Sequence, residues 1–304
     1  MIPTASFGYS MSSPYSALPN FSQSFGAGLI GTWIAMGLYG LTISQTLFYF
    51  SNYPNDARHV KLLVSFLWIL HTLHCVVICR LVYGYLILDA FNLELLTQNN
   101  WALGVSITLH LAVSSIVMVY LVVVIFKAAS FRVKYLGWLF VALNGISIFV
   151  HAGFFIEAIV QVFRIKELVN SPDLATAVLS TAGTQVAADI LIAGSLCIVL
   201  RSHLNWSQFG GTNSTIKSLM LCAISRGVVT ATIALIELLA LAIEPGSMWY
   251  IGCEFAIVGL YINALMVSLN SRNRMRARVE SAMIFAKATS IGEDDTHDSE
   301  KTAV

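Results

Sequence analysis

Seven long runs of apolar residues, almost free of charge and separated by short polar or turn-forming segments, set the terms for this chain; they cover 25–50, 62–88, 102–126, 135–160, 176–200, 218–243 and 248–269. About twenty apolar residues cross the hydrocarbon core of a bilayer as a helix. A backbone in lipid must satisfy its own N–H and C=O groups, which open strands cannot do. The runs therefore predict an all-α fold, a bundle of seven transmembrane helices. Composition agrees: 57% of residues are hydrophobic and 11% are charged, where soluble domains carry roughly 25% charged residues. A soluble globular protein is excluded. The net charge of +1 gives no basic excess for nucleic acid, so the expected partners are the lipid bilayer and an unknown small molecule.

Outside the spans lie an N-terminal tail over 1–24, a C-terminal tail over 270–304 and six connections, the longest being residues 201–217. A folded domain needs at least about 50 residues, so chemistry must reside in the membrane domain, 25–269, or its loops. The N-terminal tail has no basic region followed by a separate apolar segment and cleavage site, so helix 1 reads as a retained signal anchor. One set of alternate connections collects Arg58, Lys61, Lys127, Arg132, Lys134, Arg201, Lys217 and the tail residues Arg272, Arg274, Arg276 and Arg278; the other set holds only Arg164 and Lys166. Basic residues in short loops are retained in the cytoplasm. The expected topology is N-terminus outside and C-terminus inside, in a plasma membrane. The four tail arginines read as a stop signal and anchor on anionic lipid, followed by an acidic, disordered end around Glu293-Asp294-Asp295. Asn20-Phe21-Ser22 is a glycosylation sequon on the expected outside, whereas Asn205-Trp206-Ser207 and Asn213-Ser214-Thr215 fall in an expected cytoplasmic loop.

All five cysteines, Cys75, Cys79, Cys197, Cys222 and Cys253, lie within spans, so no disulfide framework is expected. All six prolines lie outside the spans, which argues against the broken helices that many transporters use to bind ions. Ionisable residues inside a span are the informative ones, since each costs about 2.5–3.5 kcal/mol at mid-membrane on insertion scales unless paired, wetted or neutralised. Six qualify: Arg80, Glu157, Asp189, Arg226, Glu237 and Glu254. At about 1.5 Å rise per residue, Asp189 and Arg226 reach similar depths above the cytoplasmic end and are expected as a buried charge pair. Arg80, Glu157, Glu237 and Glu254 fall in the outer half, three carboxylates against one guanidinium. Glu157, Glu237 and Arg80 are close enough to span ends to snorkel to the interface.

Histidines His71, His74, His110 and His151 lie in helices 2, 3 and 4, with His74 and His110 at a comparable depth. Neither HExxH nor HxxxH occurs, so buried hydrogen-bonded rings are expected rather than metal or haem ligands. No catalytic residue, cofactor or metal is assigned, and the chain is not expected to be an enzyme. The candidate ligand-binding residues are Glu254, Glu237, His74 and His110. No lysine lies in a span, so retinal has no attachment point, and neither a DRY-like triplet after helix 3 nor NPxxY in helix 7 is present. GxSxG, GxGD and P-loop patterns are absent as well. Ala27, Gly31 and Ala35 at four-residue spacing permit close helix packing, either within the bundle or between protomers of a homo-oligomer.

Leu38-Tyr39-Gly40 with Gln45, Tyr49-Phe50, Tyr53-Pro54 and Asp56, followed by Leu67-Trp68-Ile69-Leu70 and Thr72-Leu73-His74, resembles the first third of a multipass membrane family of mushroom-forming fungi. Asp189 with Leu196-Cys197, Gly227 with Thr230, Leu260-Tyr261-Ile262-Asn263 and Leu269-Asn270-Ser271-Arg272 resemble its carboxyl-terminal domain of unknown function. The resemblance runs from residue 25 to about 275 and implies a seven-helix protein of plasma-membrane type with no assigned activity. His71 stands where the resemblance implies an acidic residue before Thr-Leu-His. The expected function is receptor-like sensing of a small molecule in the outer half of the bundle. The alternatives are a proton- or cation-coupled transporter and an intramembrane metal or haem enzyme.

Overall fold

The computed structural model describes residues 21–88, 99–129, 134–165, 172–204, separate helical residues between 224 and 243, and residues 249–270. Five helices are α1 (Phe21–Asn52), α2 (Arg58–Tyr83), α3 (Trp101–Ala129), α4 (Lys134–Arg164) and α5 (Pro172–Leu204). A sixth, α6, runs over Trp249–Asn270. No strand occurs among the described residues. Six helices are long and apolar enough to cross a membrane, with mean hydropathy between 1.4 and 2.6. The chain reads as a helical integral membrane protein. These six coincide with six of the seven expected spans; most of the remaining one, 218–243, lies outside the described residues, as do Arg272 to Arg278 and the three sequons' asparagines.

Local chemistry explains where the helices stop. Pro54 has no N–H to offer a helix, and α1 ends two residues earlier, with Asn52 Nδ2 donating to the Phe48 carbonyl at 2.9 Å. The short turn that follows is held by Tyr49, whose hydroxyl donates to Asp56 Oδ2 at 2.9 Å, and by Lys61 Nζ on the Pro54 carbonyl. Tyr53 and Asn270 then lock the end of α6 to this turn: the Tyr53 hydroxyl donates to the Asn270 carbonyl and Asn270 Nδ2 to the Gln45 carbonyl, both at 2.9 Å. At the opposite end, Asn100 caps α3 through its side-chain oxygen on the Ala102 N–H at 3.0 Å. Pro172 opens α5, a position where a missing N–H costs nothing. The last turn of α2 widens into a π-helix over Gly84–Leu88, a feature with no sequence signature. A Cβ on Gly84 would stand 3.0 Å from Arg80 Nη1 and 3.3 Å from Asn100 Nδ2, so the missing side chain admits both groups.

Sequential helices pack side by side, α1 on α2, α2 on α3, α3 on α4 and α4 on α5, with α5 returning to α3. The helix at the centre is α6: 72% of its apolar window is buried, against 22–50% for the other five. Its approach to α1 requires glycine. A Cβ on Gly252 would lie 2.5 Å from the Ala27 carbonyl oxygen, and one on Gly31 would collide with the Gly252 carbonyl. The small-residue stripe of α1 is thus occupied within the bundle, where Ala27 and Ala35 are also buried. Large apolar side chains such as Trp33, Trp138 and Phe149 point outward, 61–80% exposed, as a lipid-facing surface demands.

Candidate functional site

The interior is polar to a degree that lipid-facing helices would not tolerate. His71, His74, His110, His151, Asn144, Gln185, Asp189 and Asn263 are all buried, and each is tied to a neighbouring helix. Between α1, α2 and α6, Thr42 is the hub: its hydroxyl donates to the Leu38 carbonyl at 3.1 Å, lies 3.0 Å from His71 Nδ1 and accepts from Asn263 Nδ2 at 3.0 Å. With the single hydroxyl proton spent on Leu38, His71 Nδ1 is the donor of its pair. His74 Nε2 meets Ser106 Oγ of α3 at 3.1 Å. His151 Nδ1 meets Thr184 Oγ1 of α5 at 3.3 Å, and Asn144 Nδ2 donates to Ser195 Oγ at 2.9 Å. These contacts act as interhelical polar glue, contributing about 0.6 kcal/mol each on average in membrane proteins.

Two further contacts differ because they border a cavity. His110 Nδ1 of α3 and Glu254 Oε1 of α6 are 2.5 Å apart, with side chains 3% and 21% exposed respectively. The Phe155 ring packs nearly perpendicular to both His110 and His151, with ring centroids 5.0 and 5.2 Å away. Deeper in the bundle, Gln185 Nε2 of α5 donates to the Tyr261 hydroxyl, which donates to Asp189 Oδ2 at 2.8 Å. The His110 and Tyr261 rings lie 6.0 Å apart, which brings the two polar groups side by side.

The cavity measures about 60 Å³. A water needs roughly 10–15 Å³ of such space, so there is room for several waters or one compact organic molecule. Its wall is formed by α3, α4, α5, α6 and Ile233, and its polar members are His110, Glu254, Gln185, Thr181 and Tyr250. Leu103, Val162, Val178 and Tyr250 place it near the start of α3, α5 and α6 and the end of α4, at one end of the bundle.

Of the residues singled out in the sequence, Glu254 and His110 come together on this wall. His74 does not: it faces Ser106 and is no part of the lining. The Glu237 side chain and Arg226 lie outside the described residues, so the expected Asp189–Arg226 pair is not described, while Asp189 itself is buried against Tyr261. Arg80 and Glu157 are exposed at span ends, Glu157 Oε1 accepting from Gln161 Nε2 at 3.3 Å. Gln185, Tyr261, Tyr250 and Phe155 were not singled out as site residues, because neutral side chains carry no large insertion penalty to flag them. The available signal for Gln185 is its place one turn before Asp189, which puts both on one face of α5. Among the described residues, no group of three or more His, Cys, Asp or Glu side chains could hold a metal ion.

Residues 185–274 match a family of unknown function, DUF6534. The matched stretch begins at Gln185 and contains Asp189, Glu254, Tyr261 and Asn263, and thus one side of the cavity and the helix at the centre of the bundle. No curated protein and no solved structure matches the chain.

Proposed function

We propose that this chain is a seven-helix plasma-membrane protein of the fungal type its sequence resembles, N-terminus outside, that senses a small molecule in the cavity between α3 and α6. The observation that carries this reading is the His110–Glu254 contact on the wall of an otherwise mainly apolar cavity. Burying a carboxylate in a membrane domain is expensive, and a structural pair would be better sealed by packing than left beside open space. Short loops and a basic cytoplasmic tail fit a receptor-like role by analogy of architecture.

The test is a thermal-stability screen of purified protein against small amines, alcohols, sterols, peptides and metal ions, since a ligand of the native state raises the melting temperature by mass action. Ala158 lines the cavity from α4, and Ala158→Phe should abolish any such shift by filling the space. A stabilising compound indifferent to Ala158→Phe would place its site elsewhere and refute the reading. A coupled carrier is the second reading, favoured by the Gln185–Tyr261–Asp189 chain that leads inward from the cavity wall. Substrate flux in proteoliposomes separates the two, because a sensor binds without transporting.

A further inference from the structure

We infer that the occupant of this cavity is a compact organic cation, a protonated primary or secondary amine on a small apolar body, docked on Glu254. The inference rests on the reading of the cavity as a ligand site. Among the described lining residues, Glu254 is the one acid and neither lysine nor arginine is present. One of its oxygens is engaged by His110 Nδ1, and among the described residues nothing engages the other. A carboxylate only accepts, so Nδ1 carries the proton that bridges to Glu254.

Among the described residues the wall thus offers an anionic acceptor, the second Glu254 oxygen, and no lysine or arginine to meet it. An ammonium group supplies both the charge and more than one N–H donor. A neutral alcohol supplies one donor and no charge, a quaternary ammonium supplies charge and no donor, and a carboxylate is repelled by Glu254. The remaining lining, chiefly Ile, Leu, Val and Ala with the rings of Phe155 and Tyr250, suits a short hydrocarbon body beneath a cation. At about 60 Å³ the space admits a short-chain amine.

Isopentylamine and isopentanol form a matched pair of nearly equal size, and their binding to full-length protein in nanodiscs near neutral pH can be read by calorimetry and by melting-temperature shift. The expected result is that the amine binds wild type about tenfold more tightly than the alcohol, the gain from one charge-assisted contact. That preference should vanish in Glu254→Gln, which removes charge and keeps shape, while isopentanol binding is retained. Isovalerate should not bind. Equal binding of amine and alcohol by wild type overturns the cationic assignment and leaves the cavity reading intact, whereas binding of neither overturns both. Because the amine-to-alcohol comparison is made on wild type, it decides the matter even if Glu254→Gln fails to fold.

Discussion

Tyr261 shows how one neutral residue can organise charged surroundings. Its hydroxyl accepts from Gln185 and donates to Asp189, and the ring is fully buried, so removing the oxygen deprives two buried polar groups at once. Tyr261→Phe should therefore lower stability by about 1–3 kcal/mol, the cost of leaving a buried polar group unsatisfied, read as a lower melting temperature in detergent. Asp189→Asn keeps an acceptor oxygen for the tyrosine and should cost less than Asp189→Ala, which removes it. If the two substitutions at 189 melt alike, the hydroxyl contact does not stabilise the bundle. The histidines divide differently: His71, His74 and His151 each meet a hydroxyl of a neighbouring helix through one ring nitrogen, and among the described histidines only His110 is paired with a carboxylate, beside open space.

For whole helices, the decisive contact is the crossing of α1 and α6. Helix backbones meet this closely only where side chains are absent, and Gly31 and Gly252 supply that absence on both partners. Gly31→Val or Gly252→Val would set a side chain against the facing backbone carbonyl, which cannot swing aside. Loss of monodisperse protein in size-exclusion chromatography is expected for both. Gly37→Ala and Gly40→Ala serve as controls on the same helix, since a Cβ at either position meets nothing within 4 Å; these should be neutral or stabilising by up to about 1 kcal/mol through helix propensity. Equal damage at all four positions would mean that α1 tolerates no change, and the close crossing would lose its special status.

Across the whole molecule, the arrangement is a central helix collared by its neighbours. Because α6 is the most buried span and contributes Glu254, Tyr261 and Asn263 to three separate polar contacts, its displacement would alter the cavity wall, the Asp189 contact and the Thr42 hub together. The orientation of this assembly in the membrane has its own test. With the N-terminus outside, Asn205 and Asn213 face the cytoplasm and should carry no glycan when the chain is expressed in a eukaryotic host; a glycosidase-sensitive mass shift that disappears on substituting them would invert the topology. Glycan at Asn20 is compatible with the expected orientation, although its closeness to helix 1 makes it a poor acceptor.

The sequence by itself determined six membrane-length helices and the solvent they face. Expected spans beginning at 25, 102, 135, 176 and 248 match helical membrane segments beginning at Gly26, Trp101, Tyr135, Thr176 and Trp249, because a run of apolar residues this long has one low-energy state in lipid. It also marked Glu254 and His110, since an ionisable group inside such a run carries an insertion cost that composition makes visible. Which of the marked residues meet was decided by tertiary structure alone. Similar depth paired His74 and His110 in the sequence, yet depth is one coordinate and contact needs the rotation of each helix about its axis as well. That rotation is set by packing, chiefly by glycines that let α6 sink against α1. It turns His110 to Glu254 and His74 to Ser106. It likewise puts Gln185 and Tyr261 in partnership, a pairing between neutral residues 76 positions apart that no local pattern encodes.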